Sequence, residues 1–227
     1  MEHDITEFGQ ERRERTLLYL ISPPKIEIES FVKELEQALK GGGVAAFQLR
    51  LKDCEDGDII AAAQALKPIL DKHDVSLIIN DRADIAKLVG ADGVHLGQDD
   101  GSIKDARALL GFDNAIGATC HGSRHLAMTA GDQGADYIAF GAFYPSSTKT
   151  PPAMAELELL KWWTSLSELP CVAIGGITVE NCRPVIEAGA DMIAVSAGIW
   201  AHPEGPLFAI QEFNRIIDDV EAKKAHR

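Results

Sequence analysis

The chain has 227 residues, of which 46% are hydrophobic and 25% charged, and its formal net charge is -13 at pH 7. This length and composition suit one large domain with a substantial core, and they exclude a disordered chain or a disulfide scaffold. The excess of acid leaves no basic surface for wrapping nucleic acid or binding an anionic membrane, and no stretch approaches the roughly 18 apolar residues of a membrane span.

The N-terminal segment and the cysteines both predict a cytoplasmic protein. Residues 1–16 form a polar arm, and the charged run Glu11–Arg15 is not followed by the apolar core of a secretory signal. The four cysteines include no CxxC pair and match no zinc pattern. Reduced thiols in a cytoplasm are therefore expected.

Short apolar and β-branched runs recur along the chain and predict eight strands. The runs are apolar on both alternations, which is typical of parallel strands covered on both faces. In chain order the predicted strands are Leu17–Ile21, Val44–Leu51, Val75–Asp81, Gly93–Gly97, Ala115–Cys120, Tyr137–Phe143, Cys171–Ile177 and Met192–Ile199.

Between the strands, apolar residues three and four positions apart predict amphipathic helices. They include Glu29–Lys40, Asp58–Lys72, Ser102–Leu110, Ser123–Gln133, Glu180–Ala188 and Pro206–Val220.

Eight strand–helix units predict a single (β/α)8 barrel, a TIM barrel with parallel strands, over residues 17–227. The alternative is a doubly wound open sheet, whose usual glycine-rich fingerprint is replaced here by Ser22-Pro23-Pro24. A Gly-Ala-Asp triplet precedes three even-numbered strands, beginning at Gly90, Gly134 and Gly189. We interpret this triplet as a structural turn at the base of the barrel and assign no chemistry to it.

Polar residues at the end of the second strand predict an anion site, because the active sites of such barrels lie at the carboxyl ends of the strands. Alternation places Gln48, Arg50 and Lys52 on one side of that strand. An amide and two cations are costly at a barrel mouth unless an anion binds them. The alternative is a frayed strand end with solvated cations.

Two aspartates at the ends of neighbouring strands predict a metal site. Asp81 ends the third strand and Asp100 follows the fourth, so their carboxylates are expected to converge. Such a pair suits Mg2+, which keeps several waters and binds substrate phosphates. The pair could instead act as general acid and base or cap the next helices, a capping role that is also open to Asp99.

Hydroxyls and glycines after the last three strands predict a phosphate site. A hydroxyl-rich loop with Lys149 follows the sixth strand, Gly175-Gly176 ends the seventh, and Ser196-Ala197-Gly198 ends the eighth.

The histidines near the strand ends have less specific signals. His95 is expected to be a hydrogen-bonded core residue, whereas His121 could carry protons at the site. Cys120 precedes His121 but should point to the opposite face, so a Cys–His nucleophile is not expected.

These motifs resemble those of the thiamine phosphate synthase family, from about Leu18 to Ile199. The segments that carry the resemblance are Gln48–Lys52, Ile79–Arg82, Gly90–Asp100, Pro145–Lys149 and Ala173–Ile177. The resemblance implies a (β/α)8 barrel that joins the pyrimidine diphosphate 4-amino-2-methyl-5-(diphosphooxymethyl)pyrimidine to a thiazole phosphate. That acceptor is 4-methyl-5-(2-phosphoethyl)thiazole or its 2-carboxy form, and the products are thiamine phosphate and diphosphate.

The resemblance also implies roles for individual residues. Arg50, Lys52 and Lys149 would stabilise the departing diphosphate as catalytic cations, and Asp81 and Asp100 would bind Mg2+. The residues implied for the pyrimidine diphosphate are Gln48, Arg50, Lys52, Asn80, Thr119 and Lys149. Those implied for the thiazole phosphate are Ser146, Ser147, Thr148, Gly176, Ser196 and Ala197.

Two alternatives remain at this stage: a thiazole tautomerase that uses His121 without a metal, and a non-catalytic barrel that binds thiazole phosphate. Neither needs Asp81, Asp100, Arg50 and Lys52 together, so the synthase is favoured. Small-molecule substrates are the expected partners, and a homo-oligomer is compatible with the sequence.

Overall fold

The computed structural model describes residues 15–145 and 154–224, and its strands form one closed parallel barrel. The strands are β1 (Leu17–Ile21), β2 (Val44–Leu49), β3 (Ser76–Asn80), β4 (Gly93–Leu96), β5 (Ala115–His121), β6 (Tyr137–Gly141), β7 (Cys171–Ile174) and β8 (Met192–Val195). Each strand pairs with its neighbours in chain order, and β8 pairs with β1 to complete the ring. The predicted (β/α)8 barrel is confirmed.

Helices follow the strands and surround the barrel. They are α1 (Ile28–Leu39), α2 (Asp56–Lys72), α3 (Ala83–Val89), α4 (Ile103–Leu110), α5 (Arg124–Asp132), α6 (Leu157–Leu166), α7 (Arg183–Glu187), α8 (Ala197–Trp200) and α9 (Pro206–Lys224). In the described part of the chain, no helix has the length and apolar character needed to cross a membrane.

Two apolar layers hold the barrel together because its strands are covered on both sides. The larger layer lies between strands and helices and includes Phe47, Phe140 and Trp163. The smaller layer fills the inside of the barrel and includes Tyr19, Tyr137 and small or aliphatic side chains such as Ala139 and Val172. Alternation along each strand separates the two layers, so every second strand residue faces the interior.

The three Gly-Ala-Asp triplets have the structural role that the sequence indicates. In each, the aspartate carboxylate accepts a hydrogen bond from the N–H of a residue at the start of the preceding strand. Asp92 accepts from Leu77 at 2.7 Å, Asp136 from Ile116 at 2.6 Å, and Asp191 from Cys171 at 2.8 Å. Each aspartate therefore ties an odd-numbered strand to the following even-numbered one at the amino end of the barrel.

The junction between β1 and β2 is built differently, with glycines at positions 41–43. Asn214 of α9 donates from its amide to the carbonyls of Gly41 and Gly42 at 3.3 and 2.8 Å. A Cβ on Gly43 would lie 2.1 Å from the amide oxygen of Asn214. Arg15 donates to that same oxygen at 2.8 Å. A side chain from the last described helix thus stabilises the first junction.

The strand and helix boundaries differ from the predictions in a few places. The eighth strand was predicted to reach Ile199, but β8 ends at Val195 because residues 197–200 turn into α8. The second strand ends at Leu49, two residues early, because the Arg50 N–H donates to the Ser22 hydroxyl at 2.9 Å. The cap of α4 is Ser102, whose hydroxyl accepts from Asp105 N–H at 3.0 Å, so the capping role considered for Asp99 is wrong.

Arg107 is expected to be the strongest single stabiliser of the amino end of the barrel. Its guanidinium donates to the carbonyls of Gly111, Asn114 and Gly134 at 2.9, 2.7 and 3.1 Å, and also to Asp136. Arg107→Ala removes one donor from all four acceptors, three of them in partly buried contacts, so we expect a loss of about 2–3 kcal/mol in the free energy of unfolding. Urea denaturation measures the loss, and exposed Lys104 of the same helix provides the control. A loss equal to that of Lys104→Ala would contradict the assignment.

Candidate active site

Two aspartates meet at the carboxyl ends of β3 and β4, as the sequence predicts. The Asp81 N–H donates to the His95 carbonyl at 2.8 Å, and the Arg82 N–H donates back to the Asn80 carbonyl at 2.8 Å. This tight turn holds Asp81 at a φ of 65°. The Asp100 carboxylate folds over Gly97, where an added Cβ would lie 2.3 Å from its Oδ2. Asp100 lies close enough to Asp81 to raise the pKa of the Asp81 carboxyl.

The electrostatics of this pair favour a cation between or beside the carboxylates. Burial and the neighbouring Asp100 raise the pKa of Asp81 to about 6, and Arg50 acts in the opposite direction. The Asn80 amide also donates to Asp81 at 2.5 Å, which favours the ionised form. A bound divalent ion would relieve the repulsion between the two carboxylates.

The two aspartates offer hard oxygen donors of the kind that Mg2+ prefers. Within residues 15–145 and 154–224, no three His, Cys, Asp or Glu side chains are arranged to hold a metal. A cation held by the two carboxylates would have room for water and for substrate oxygens, because Asp100 is exposed. That is the incomplete, oxygen-only coordination from protein that is typical of Mg2+ sites.

Of the two cations predicted after the second strand, Arg50 lies beside Asp81. Gln48 is the last inward-facing residue of β2 and is buried, whereas Arg50 and Lys52 follow the strand and are half-buried. Arg50 is close enough to Asp81 and His95 to shift the pKa of both. Backbone hydrogen bonds to the Ser22 hydroxyl and the Pro24 carbonyl, both at 2.9 Å, fix Arg50 and Lys52.

His95 and Thr119 form the deep edge of the site. His95 is buried, and its Nδ1 and Nε2 lie 3.1 Å from the Tyr137 hydroxyl and 2.9 Å from the Thr119 hydroxyl. Burial, with a smaller contribution from Arg50, lowers the pKa of His95 to about 4. His95 is therefore the neutral, hydrogen-bonded core residue that the sequence predicts, and it supports Thr119 from behind.

The predicted phosphate residues lie at the ends of β7 and β8, which are neighbours in the barrel. Gly175 and Gly176 have φ values of 102° and 63°. A Cβ on Gly176 would lie 2.3 Å from the Pro145 carbonyl oxygen, so the turns after β6 and β7 require a glycine there. Ser196 caps α8 and donates to the Ser22 carbonyl at 3.2 Å, and Ala197 begins that helix. The four remaining predicted residues, Ser146, Ser147, Thr148 and Lys149, lie outside the described residues.

The Cys120–His121 pair is not a nucleophilic pair. Cys120 is buried among the residues between strands and helices, and burial raises its pKa to about 12. His121 ends β5 at an irregularity in the pairing with β6 and has a φ of 49°. The buried Cys120 thiol, with its raised pKa, is therefore unsuited to act as a nucleophile.

Three residues of this region were not singled out from the sequence. Tyr19 and Tyr137 meet inside the barrel with their hydroxyls 2.9 Å apart. Arg82 binds Asp56 of α2 and Asp84 of α3, at 2.5–2.9 Å, and so secures the turn that holds Asp81. A tyrosine at an inward position of an apolar strand is a signal that could have found the first two.

Carboxylates and cations gathered at the carboxyl ends of parallel strands are typical of (β/α)8-barrel enzymes, and this protein is one of them. Residues 18–199 match the family model described as thiamine monophosphate synthase. The chain belongs to that family.

Individual relatives agree with the family match. The chain is 52% identical to the thiamine-phosphate synthase of Rhodospirillum centenum over 200 residues, which cover 88% of this chain and 97% of the relative. It is also 52% identical to the thiamine-phosphate synthase of Hyphomonas neptunium over 214 residues, covering 92% and 96%. The solved thiamine phosphate pyrophosphorylase of Pyrococcus furiosus superposes with a TM-score of 0.80 at 31% identity, covering 92% and 98% of the two chains.

Proposed function

We propose that this protein is a thiamine-phosphate synthase that condenses a 4-aminopyrimidine carrying a diphosphooxymethyl group with a thiazole phosphate. In this reaction the bond between the methylene carbon and the diphosphate oxygen breaks, and its electron pair leaves with diphosphate. The thiazole nitrogen supplies the pair for the new C–N bond. The observation that carries the proposal is the Asp81–Asp100 pair beside Arg50 in a member of this family.

The chain's own residues would act mainly by charge and position. Arg50 and Lys52, together with Lys149, would bind the diphosphate and stabilise the negative charge that it gains on leaving. Gln48, Asn80 and Thr119 would hold the pyrimidine diphosphate. The residues proposed to hold the thiazole phosphate in line with the methylene carbon are Ser146, Ser147, Thr148, Gly176, Ser196 and Ala197.

Asp81 and Asp100 would hold Mg2+, which when bound neutralises phosphate charge. The fit rests on the two converging carboxylates and their open surroundings. No protein nucleophile is needed for this reaction, which is consistent with the buried, high-pKa state of Cys120.

The test is thiamine phosphate formation from the two purified substrates, with Mg2+, with excess chelator, and after Mg2+ is restored. We expect product with Mg2+, its loss by at least about a hundredfold in chelator, and recovery on adding the metal back. Product that persists in chelator would contradict the metal assignment. A folded protein that forms no product under any of these conditions would contradict the synthase and favour the tautomerase that uses His121.

A further inference from the structure

A continuous chain of hydrogen bonds crosses the inside of the barrel beneath the site. The Gln48 amide nitrogen lies 3.0 Å from the Tyr19 hydroxyl, which lies 2.9 Å from the Tyr137 hydroxyl. The Tyr137 hydroxyl lies 3.1 Å from His95 Nδ1, and His95 Nε2 lies 2.9 Å from the Thr119 hydroxyl. The chain thus joins two residues proposed to contact the pyrimidine diphosphate, through three buried residues that we call the relay: Tyr19, Tyr137 and His95.

Each member of the relay can donate only one hydrogen along the chain. A tyrosine hydroxyl has one proton, and a neutral imidazole carries one on either Nδ1 or Nε2. If Gln48 donates to Tyr19, then Tyr19 must donate to Tyr137 and Tyr137 to His95 Nδ1. The His95 proton is then on Nε2 and is donated to Thr119. The Gln48 amide can therefore turn over only if all four hydrogen bonds of the chain reverse together.

The direction of the chain matters because a free glutamine amide can rotate by half a turn. The rotation exchanges the positions of the carbonyl oxygen and the N–H. A freely rotating amide can therefore pair with an aminopyrimidine edge or with an oxo-pyrimidine edge. In the structure the Gln48 nitrogen faces Tyr19. The amide oxygen and the second N–H are left for a ligand, and Thr119 keeps its hydroxyl hydrogen for an acceptor such as a phosphoryl oxygen.

We propose that Tyr19, Tyr137 and His95 are positioning residues that hold the Gln48 amide in the orientation seen here, because its rotation alone would break the hydrogen-bond chain. The site then selects a ring with an amino group beside a ring nitrogen over a ring with an oxo group there. The inference rests on the proposed function for the identity of the ligand. Its physical basis is the cost of an unpaired polar group, since the rejected ring would place two donors or two acceptors against each other.

Packing makes the relay rigid enough for this role. The Tyr19 and Tyr137 rings meet edge to face with centroids 5.9 Å apart, and His95 stacks on Tyr137 at 5.6 Å. A Cβ on Gly117 would lie 2.0 Å from the Tyr137 ring, so the ring occupies the space that this glycine leaves. The rings therefore have little freedom to rotate out of the chain.

The test combines ligand binding with the protonation pattern of His95. Dissociation constants are measured by calorimetry, without the thiazole, for the 4-amino pyrimidine diphosphate and for its 4-oxo analogue. We expect the wild-type protein to prefer the amino compound by at least about a hundredfold, and Tyr137→Phe to reduce that preference by roughly tenfold or more. Nitrogen-15 NMR of histidine-labelled protein should show His95 protonated on Nε2, and its signal is assigned by its loss in His95→Gln.

Tyr19→Phe and Trp163→Phe complete the comparison. Tyr19→Phe also breaks the relay and should lower the preference as Tyr137→Phe does. Trp163→Phe removes a buried donor to the Leu169 carbonyl outside the barrel, so it should change stability without changing the preference or the His95 signal. An Nδ1-protonated His95, or an unchanged preference in both tyrosine variants, would overturn the relay. Failure of the wild-type protein to bind either pyrimidine would contradict the proposed function and the ligand named here, while the NMR result still tests the relay.

Discussion

Asp81→Asn is expected to lower kcat/KM for thiamine phosphate formation by about a thousandfold, because removing one of two carboxylates from a Mg2+ site costs several kcal/mol of transition-state stabilisation. Asparagine keeps the size of the side chain and tolerates the φ of 65° found at this position. The folded protein should be as stable as the wild type or more stable. Burial and Asp100 raise the pKa of Asp81 above its ordinary value, so its charge is a cost to the folded state at neutral pH.

The opposite effects on activity and stability distinguish a metal ligand from a structural aspartate. Asp113→Asn is the control, since Asp113 is exposed beyond α4, next to the amino end of β5. Activity is measured across a Mg2+ titration and stability by thermal unfolding, and Asp100→Asn should behave like Asp81→Asn. Activity within tenfold of wild type in both variants would refute the metal assignment.

Arg50→Gln is expected to lower kcat/KM by about a hundredfold or more, with most of the loss in binding and departure of diphosphate. Arg50 lies beside Asp81 and His95, and its backbone is held by the Ser22 hydroxyl at 2.9 Å. Because only the head group changes, the local backbone should remain in place. Arg50→Lys should recover part of the loss, since it keeps the charge but not the two-pronged geometry.

Steady-state kinetics with the pyrimidine diphosphate varied at saturating thiazole phosphate measure this effect. Arg215→Gln is the matched control, because Arg215 is exposed on α9 and pairs with Glu212 at 2.9 Å, away from the site. A rate for Arg50→Gln equal to that of Arg215→Gln would show that Arg50 is a solvated cation at a strand end.

The barrel could be predicted because its strands leave a strong local signal. Eight short apolar runs between amphipathic patterns are enough to give the count and the parallel arrangement. The strand ends were harder to predict, because side chains from other elements determine them. Ser22 ends the pairing of β2, and β8 ends at Val195 because the chain turns into α8 at Ala197.

The site could be predicted where residues follow neighbouring strands. Asp81 and Asp100 meet because β3 and β4 are adjacent, which the order of the strands alone indicates. The contact between Tyr19 and Tyr137 could not be found in this way. These residues lie 118 positions apart on β1 and β6, which do not pair, and alternation fixes only the face on which each lies. The sequence likewise gives no sign that the Asp100 carboxylate lies over Gly97.

At the junction between β1 and β2, Asn214 has the role that an aspartate has in each of the other three strand pairs. This difference affects the order in which the protein can assemble. The pairs β3–β4, β5–β6 and β7–β8 each carry their own aspartate, so they can be stabilised as soon as their residues leave the ribosome. The first pair gains the Asn214 hydrogen bonds only when α9 has been made, because α9 follows all eight strands in the chain. The ring itself closes when β8, the last strand, pairs with β1, and until then the open edge of β1 can pair with other nascent chains.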